Sequence, residues 1–117
     1  MKIQNYLKTF GMDDEYYLNV AKSYAGLHGY EPKYLSLATD NKHKLRYKHG
    51  NKHIQFGSTN NLDYIILTFL EGIDELTEDV AFSRRHQYLK RSEGIKGDWK
   101  EDKFSPNNLA RKIIWNE

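Results

Sequence analysis

Apolar positions along the chain fall into runs with two different periods. Ile3, Tyr6, Leu7 and Phe10 recur at helical spacing and Gly11 stands where a C-cap would be, which predicts a short first helix. Asp13, Asp14 and Glu15 open a second periodic stretch, acids that suit the positive end of a helix dipole. Tyr17, Val20, Ala21, Tyr24 and either Leu27 or His28 form its stripe, and Gly29 ends it. Residues 30–41 mix polarities around one proline and read as a connecting loop.

Alternation replaces the helical period at 43–57, where Gly50-Asn51 is a two-residue turn signal. Closing that turn opposes His49 with Lys52, Tyr47 with Ile54, and Leu45 with Phe56, so the apolar residues share one face of a β-hairpin. The other face carries Lys44, Arg46, Lys48, His53 and Gln55 and is expected to meet solvent. On that reading, reversing Lys44, Arg46 and Lys48 to Glu leaves the fold intact.

The helical period returns at Leu62, Ile65, Ile66, Phe69, Leu70, Ile73 and Leu76, with a buried strand over 63–69 as the alternative for so short an apolar run. Gly72 and the acidic stretch 71–79 predict an early end in a loop. A further helix is predicted from about 79 to 92, with Phe82, Arg85 or His86, and Leu89 inward, and Arg84, Gln87 and Arg91 outward. Gly94 and Gly97 break it. Ser105-Pro106 is a helix start, Ser as N-cap and Pro at the first helical position, and Leu109, Ile113, Ile114 and Trp115 follow on its apolar side. The sum is a small single-domain α+β fold over 1–117: N-terminal helices, one hairpin, then two or three helices ending in the Ser-Pro-capped one.

Composition narrows the class. At 117 residues and 13.9 kDa the chain has room for one domain. Leu, Ile, Val and Phe make up 27 of the 117 residues, above the level of about 20% below which disorder is the better expectation. The absence of cysteine excludes disulfides, thiolate zinc sites and thiol nucleophiles. No apolar run approaches the ~20 residues of a membrane span, and no secretory apolar segment follows Met1. Neither secretion nor a membrane span is the expectation.

The net charge of +2 conceals a sorted distribution. From Asn41 to Ser58 there are five Lys or Arg, no acid, and three of the five histidines. From Leu62 to Asp79 there are six acids and no Lys or Arg. From Val80 to Ser92 come Arg84, Arg85, Lys90 and Arg91 with no acid. Such blocks create local potentials that a net figure hides. They either pair within the fold or offer phosphate-binding faces. His43, His49 and His53 stand among lysines, which disfavours a metal. Asp13-Asp14 and Asp74-Glu75 read as solvated caps, and Ser58 and Ser105 sit in turn or cap contexts. With no phosphate loop, nucleophile elbow or dinucleotide fingerprint, the expectation is a non-enzyme without cofactor or metal. The candidate contacts to a partner or to phosphate are Lys44, Arg46, Lys48, His53, Arg84, Arg85, Lys90 and Arg91. Such contacts bind backbone and not sequence. Tyr47 and Trp99 could stack on bases, although both also fit a core.

An ordered set of residues carries a resemblance. His53-Ile54-Gln55-Phe56-Gly57 and Asp63-Tyr64 are followed by Arg84-Arg85, Tyr88-Leu89 and Arg91. Ile95-Lys96-Gly97-Asp98-Trp99-Lys100, then Phe104-Ser105-Pro106-Asn107-Asn108-Leu109-Ala110 and Ile113-Ile114-Trp115 complete it. Over about 41–116 the chain resembles a family of small, functionally uncharacterised proteins of nucleocytoplasmic large DNA viruses, of the mimivirus and phycodnavirus kind. The acidic stretch 71–80 stands as an insertion against that pattern, and residues 1–30 lie outside it. The resemblance implies a viral context, the virion or the factory in host cytoplasm, and no specific chemistry. Within it the expected role is a minor structural or virion-associated component, docking through basic faces onto other viral proteins. A sequence-nonspecific nucleic-acid-binding module is the alternative, and an adaptor for a host protein the third. Phe56, Gly57, Trp99, Ser105, Pro106, Leu109 and Trp115 are expected as structural anchors.

Overall fold

Asp13 stands in extended backbone and its side chain accepts the Tyr16 amide hydrogen at 2.8 Å, starting α1 (Asp14–Leu27). The computed structural model describes residues 11–59, 61–77 and 79–117. The helix expected over 3–10 lies outside them. Tyr17, Ala21 and Ala25 are the buried face of α1, and of the two candidates for its last apolar position His28 turns inward, to Asn116 Oδ1 at 2.7 Å. Leu27 is 74% exposed.

Residues 30–41 are more ordered than a loop. A 3-10 turn at Pro32–Tyr34 leads into β1 (Leu35–Leu37), which pairs antiparallel with β2 (His43–His49) through Leu35↔Tyr47 and Leu37↔Leu45. β2 and β3 (Lys52–Ser58) form the expected hairpin in the expected register, His49↔Lys52, Tyr47↔Ile54 and Leu45↔Phe56. The sheet order is β1-β2-β3.

Asp63 caps α2 (Tyr64–Gly72), accepting the Ile66 amide hydrogen at 3.0 Å. This stretch is a helix, and it ends before the acidic loop. Asp79 precedes α3 (Val80–Glu93) with φ of 70° and makes no side-chain cap; Glu71 Oε1 instead accepts the Ala81 amide hydrogen at 2.6 Å. The acid at the end of α2 thereby satisfies the start of α3. Phe82, expected inward, is 64% exposed, because Ala81 takes the buried position of that turn. Ser105 caps α4 (Pro106–Leu109), which continues as a π-helical turn over Ala110–Ile114, closed by the Trp115 amide donating to the Ala110 carbonyl at 3.0 Å.

One core joins these layers. Tyr17 and Ala21 of α1, Leu45, Tyr47 and Phe56 of the sheet, Ile65 and Ile66 of α2, and Leu109, Ile113 and Ile114 of the last helix are all buried in it. The fold is a small α+β domain. No helix among the described residues is long and apolar enough to cross a membrane.

Candidate anion-binding cleft

The alternation of β2 sends Lys44 to the face opposite Leu45, yet Lys44 is only 4% exposed. The expectation that it belongs to a solvent face is thus corrected. Two elements distant in sequence cover that end of the sheet. The segment 61–63 lies beside it: Lys44 Nζ donates to the Asn61 carbonyl at 2.6 Å and to Asp63 Oδ2 at 2.7 Å. Over Gly57, which faces Lys44 across the hairpin, sits Ile114; a Cβ on Gly57 would fall 2.4 Å from Ile114 Cδ1. Gly57 also has φ of 79°, in the region that favours glycine.

Asp63 therefore does three things. Oδ1 caps α2, while Oδ2 accepts both Lys44 and the Tyr17 hydroxyl, the latter at 2.6 Å. Burial, and then the neighbouring Asp63 carboxylate, push the Tyr17 hydroxyl well above its ordinary pKa. A buried charge held this way by hydrogen bonds from three elements is the arrangement that makes burial tolerable.

Above this pair opens a cleft of about 390 Å³ between the end of β3, residues 61–63 and α3. Arg84, Gln87 and Arg91 stand on its α3 side, all exposed, with half-buried Tyr88 among them. These positions lie three, four and seven residues apart, so one face of the helix presents them all. Trp115 lines the cleft too, its ring stacked on Tyr88 with centroids 4.3 Å apart. Among the described residues no carboxylate lies within ion-pair distance of Arg84 or Arg91. None of the described acids of the stretch 71–79 pairs with them. Arg91 makes one cation–π contact, 5.7 Å from the Tyr88 ring centre.

The remaining basic candidates disperse. Arg85 turns inward and donates to the carbonyls of Trp115 and Asn116, both at 2.8 Å, with its guanidinium 5.7 Å from the Tyr64 ring centre. It fastens the C-terminal segment and is removed from the partner-contact set. Lys90 is exposed on α3 but does not line the cleft. Arg46 is half-buried and donates to Ser36 Oγ at 3.1 Å. Lys48 and His53 are exposed near the hairpin turn, ~13 Å along the strand from Lys44. With Lys44 buried, the hairpin and α3 cations form no single continuous basic surface. His49 stacks on Phe104 at 3.7 Å between ring centres.

The expected anchors are placed in structural roles. Phe56 and Leu109 are buried, and Ser105 Oγ accepts the Asn108 amide hydrogen at 3.2 Å while Pro106 opens α4. Trp99 Nε1 donates to the Ile95 carbonyl at 2.6 Å, and its own carbonyl accepts Ser105 Oγ at 3.0 Å. Tyr47 is likewise committed to the core, so neither aromatic offers a base platform. Arg111, which composition does not single out, is buried under Trp99 and bonded to the Leu89 carbonyl at 2.8 Å, Ser92 Oγ, Glu93 and Glu117.

Tyr88 and Gln87 are cleft residues that a search for charge alone passes over, and Asp63 is one that a search for cations passes over. The outward stripe Arg84, Gln87, Arg91 is the signal that locates the α3 wall of the cleft. Among the described residues no group of three or more His, Asp or Glu is arranged to hold a metal ion. Comparison of the chain with protein-family models, with curated proteins and with solved structures returns no match.

Proposed function

We propose that this protein is a non-enzymatic nucleic-acid-binding module that meets the phosphate backbone through Arg84 and Arg91 at the mouth of the cleft. The observation that carries this reading is the pair of exposed guanidiniums, seven residues apart on one helix face and without a carboxylate partner among the described residues. A guanidinium left unpaired at a surface is suited to a phosphate oxygen, which it binds through two parallel hydrogen bonds. Lys90 at the end of α3 and Lys48 at the hairpin add to the attraction at longer range. The viral context that the resemblance implies supplies abundant nucleic acid.

Docking onto an acidic protein surface, as a minor virion component, is the second reading, favoured by the exposed Phe82 side chain on α3. A labelled DNA strand in low salt separates the two. The wild type binds it, and Arg84→Glu with Arg91→Glu weakens binding by at least tenfold while the melting temperature is held. Absence of binding by the wild type removes the nucleic-acid reading and leaves protein docking.

A further inference from the structure

Resting on that reading, the geometry points to a more specific occupant: we infer that the cleft seats one unstacked nucleotide, so that the protein takes single strands or strand ends in preference to a closed duplex. Its volume of about 390 Å³ is in the range of small-molecule sites. A paired base inside a duplex cannot leave its stack to enter such a concavity without the cost of flipping.

The lining matches a nucleotide in its parts. Arg84 and Arg91 stand ~10 Å apart along the helix axis, with Gln87 and Tyr88 between them. A base placed between the two guanidiniums has a cation on either side, one for its 5′ phosphate and one for its 3′ phosphate. Gln87 offers both a donor and an acceptor to a base edge. Half-buried Tyr88 contributes aromatic surface to the same wall, with Trp115 stacked against it from within.

The floor adds an independent observation. An ammonium has three hydrogens to donate; those of Lys44 reach the Asn61 carbonyl and Asp63 Oδ2, and the third has no acceptor among the described residues. Lys44 lines the cleft while nearly fully buried. Held by the Asn61 carbonyl and Asp63, it adds a fixed cation to the lining of the cleft. Asp63, the carboxylate in the lining, has both oxygens engaged.

Fluorescence anisotropy with an end-labelled ten-residue oligothymidylate, and with a blunt duplex of the same length, reads the preference at fixed salt. The full chain is expected to bind the single strand at least tenfold more tightly, since the seated base adds a stacking contribution the duplex cannot make. Gln87→Trp, which fills the cleft and leaves both arginines, is expected to abolish that preference, and its melting temperature verifies that it folds. Trp115 fluorescence should also change on adding thymidine monophosphate to the wild type. Equal affinity for the two probes overturns the seated nucleotide and leaves the backbone reading standing; failure to bind either probe overturns both.

Discussion

Replacing Asp63 by Asn removes one charge from the interior and little else. The amide keeps an oxygen for capping α2, so the ~1 kcal/mol of an N-cap is largely retained. The Tyr17 hydroxyl keeps a neighbour of the same shape. What changes is Lys44, whose ammonium is 4% exposed and loses its only carboxylate among the described residues. Breaking a buried pair from one side costs about 3–5 kcal/mol. With an unfolding entropy of roughly 2.1 cal/mol/K per residue over 117 residues, that loss lowers the melting temperature by ~12–20 °C. Urea unfolding of wild type, Asp63→Asn, Lys44→Met and the double variant completes a cycle. The double variant should recover much of the loss, because a neutral pair strands no charge. An Asp63→Asn protein within ~1 kcal/mol of wild type would refute the reasoning, and Lys44 would then have found water or another partner.

Three further outcomes are expected. Gly57→Ala should destabilise by roughly 1–3 kcal/mol through overpacking, because its Cβ meets Ile114 and its φ is positive; adding Ile114→Val, which deletes the opposing methyl, should recover part of that in thermal melts, and no coupling would argue that only the backbone strain matters. Trp115→Ala should cost about 3–5 kcal/mol, since the ring is 7% exposed and stacked on Tyr88; an unchanged melting temperature would contradict that burial. Desolvation alone would raise the Asp40 pKa, but the hydrogen bonds from the His43 side chain and from the His43 and Lys42 amides outweigh it and bring the carboxyl from its ordinary 3.8 to about 2. A depressed folded value stabilises above the unfolded pKa and is lost as pH falls through the folded one, so melting curves of wild type and Asp40→Asn should converge between pH 3.8 and about 2; a constant gap would contradict the assignment.

The hairpin was legible because its determinants are local: a Gly-Asn turn and alternation fix the register without reference to the rest of the chain. The helix caps Asp13, Asp63 and Ser105 act through their own first turns; of these, Asp13 and Ser105 were readable as helix starts. Lys44 was misplaced for the opposite reason. Alternation says which face a residue takes, and only tertiary packing says whether that face is covered. Gly57, a glycine inside a strand opposite Lys44, was the available hint of a close approach there. Arg84 and Arg85 look alike in sequence, yet one reaches the cleft and the other the terminal carbonyls, because they lie about 100° apart around the helix. β1 was missed because its pairing spans only Leu35–Leu37, too few residues to show a period. Arg111 depends on contacts from three separate segments, α3, the loop of Trp99 and the C-terminal Glu117, which no spacing rule anticipates.

The central claim is that the cleft arginines meet phosphate, and salt dependence tests it most directly. The affinity of the wild type for a labelled single strand should fall linearly with the logarithm of salt, with a slope of about −0.7 for each phosphate contacted. Removing Arg84 and Arg91 together should flatten that slope by roughly 1.4 as well as weaken binding. A slope identical in wild type and double variant would mean that neither arginine touches the backbone, and the account of the cleft would fail.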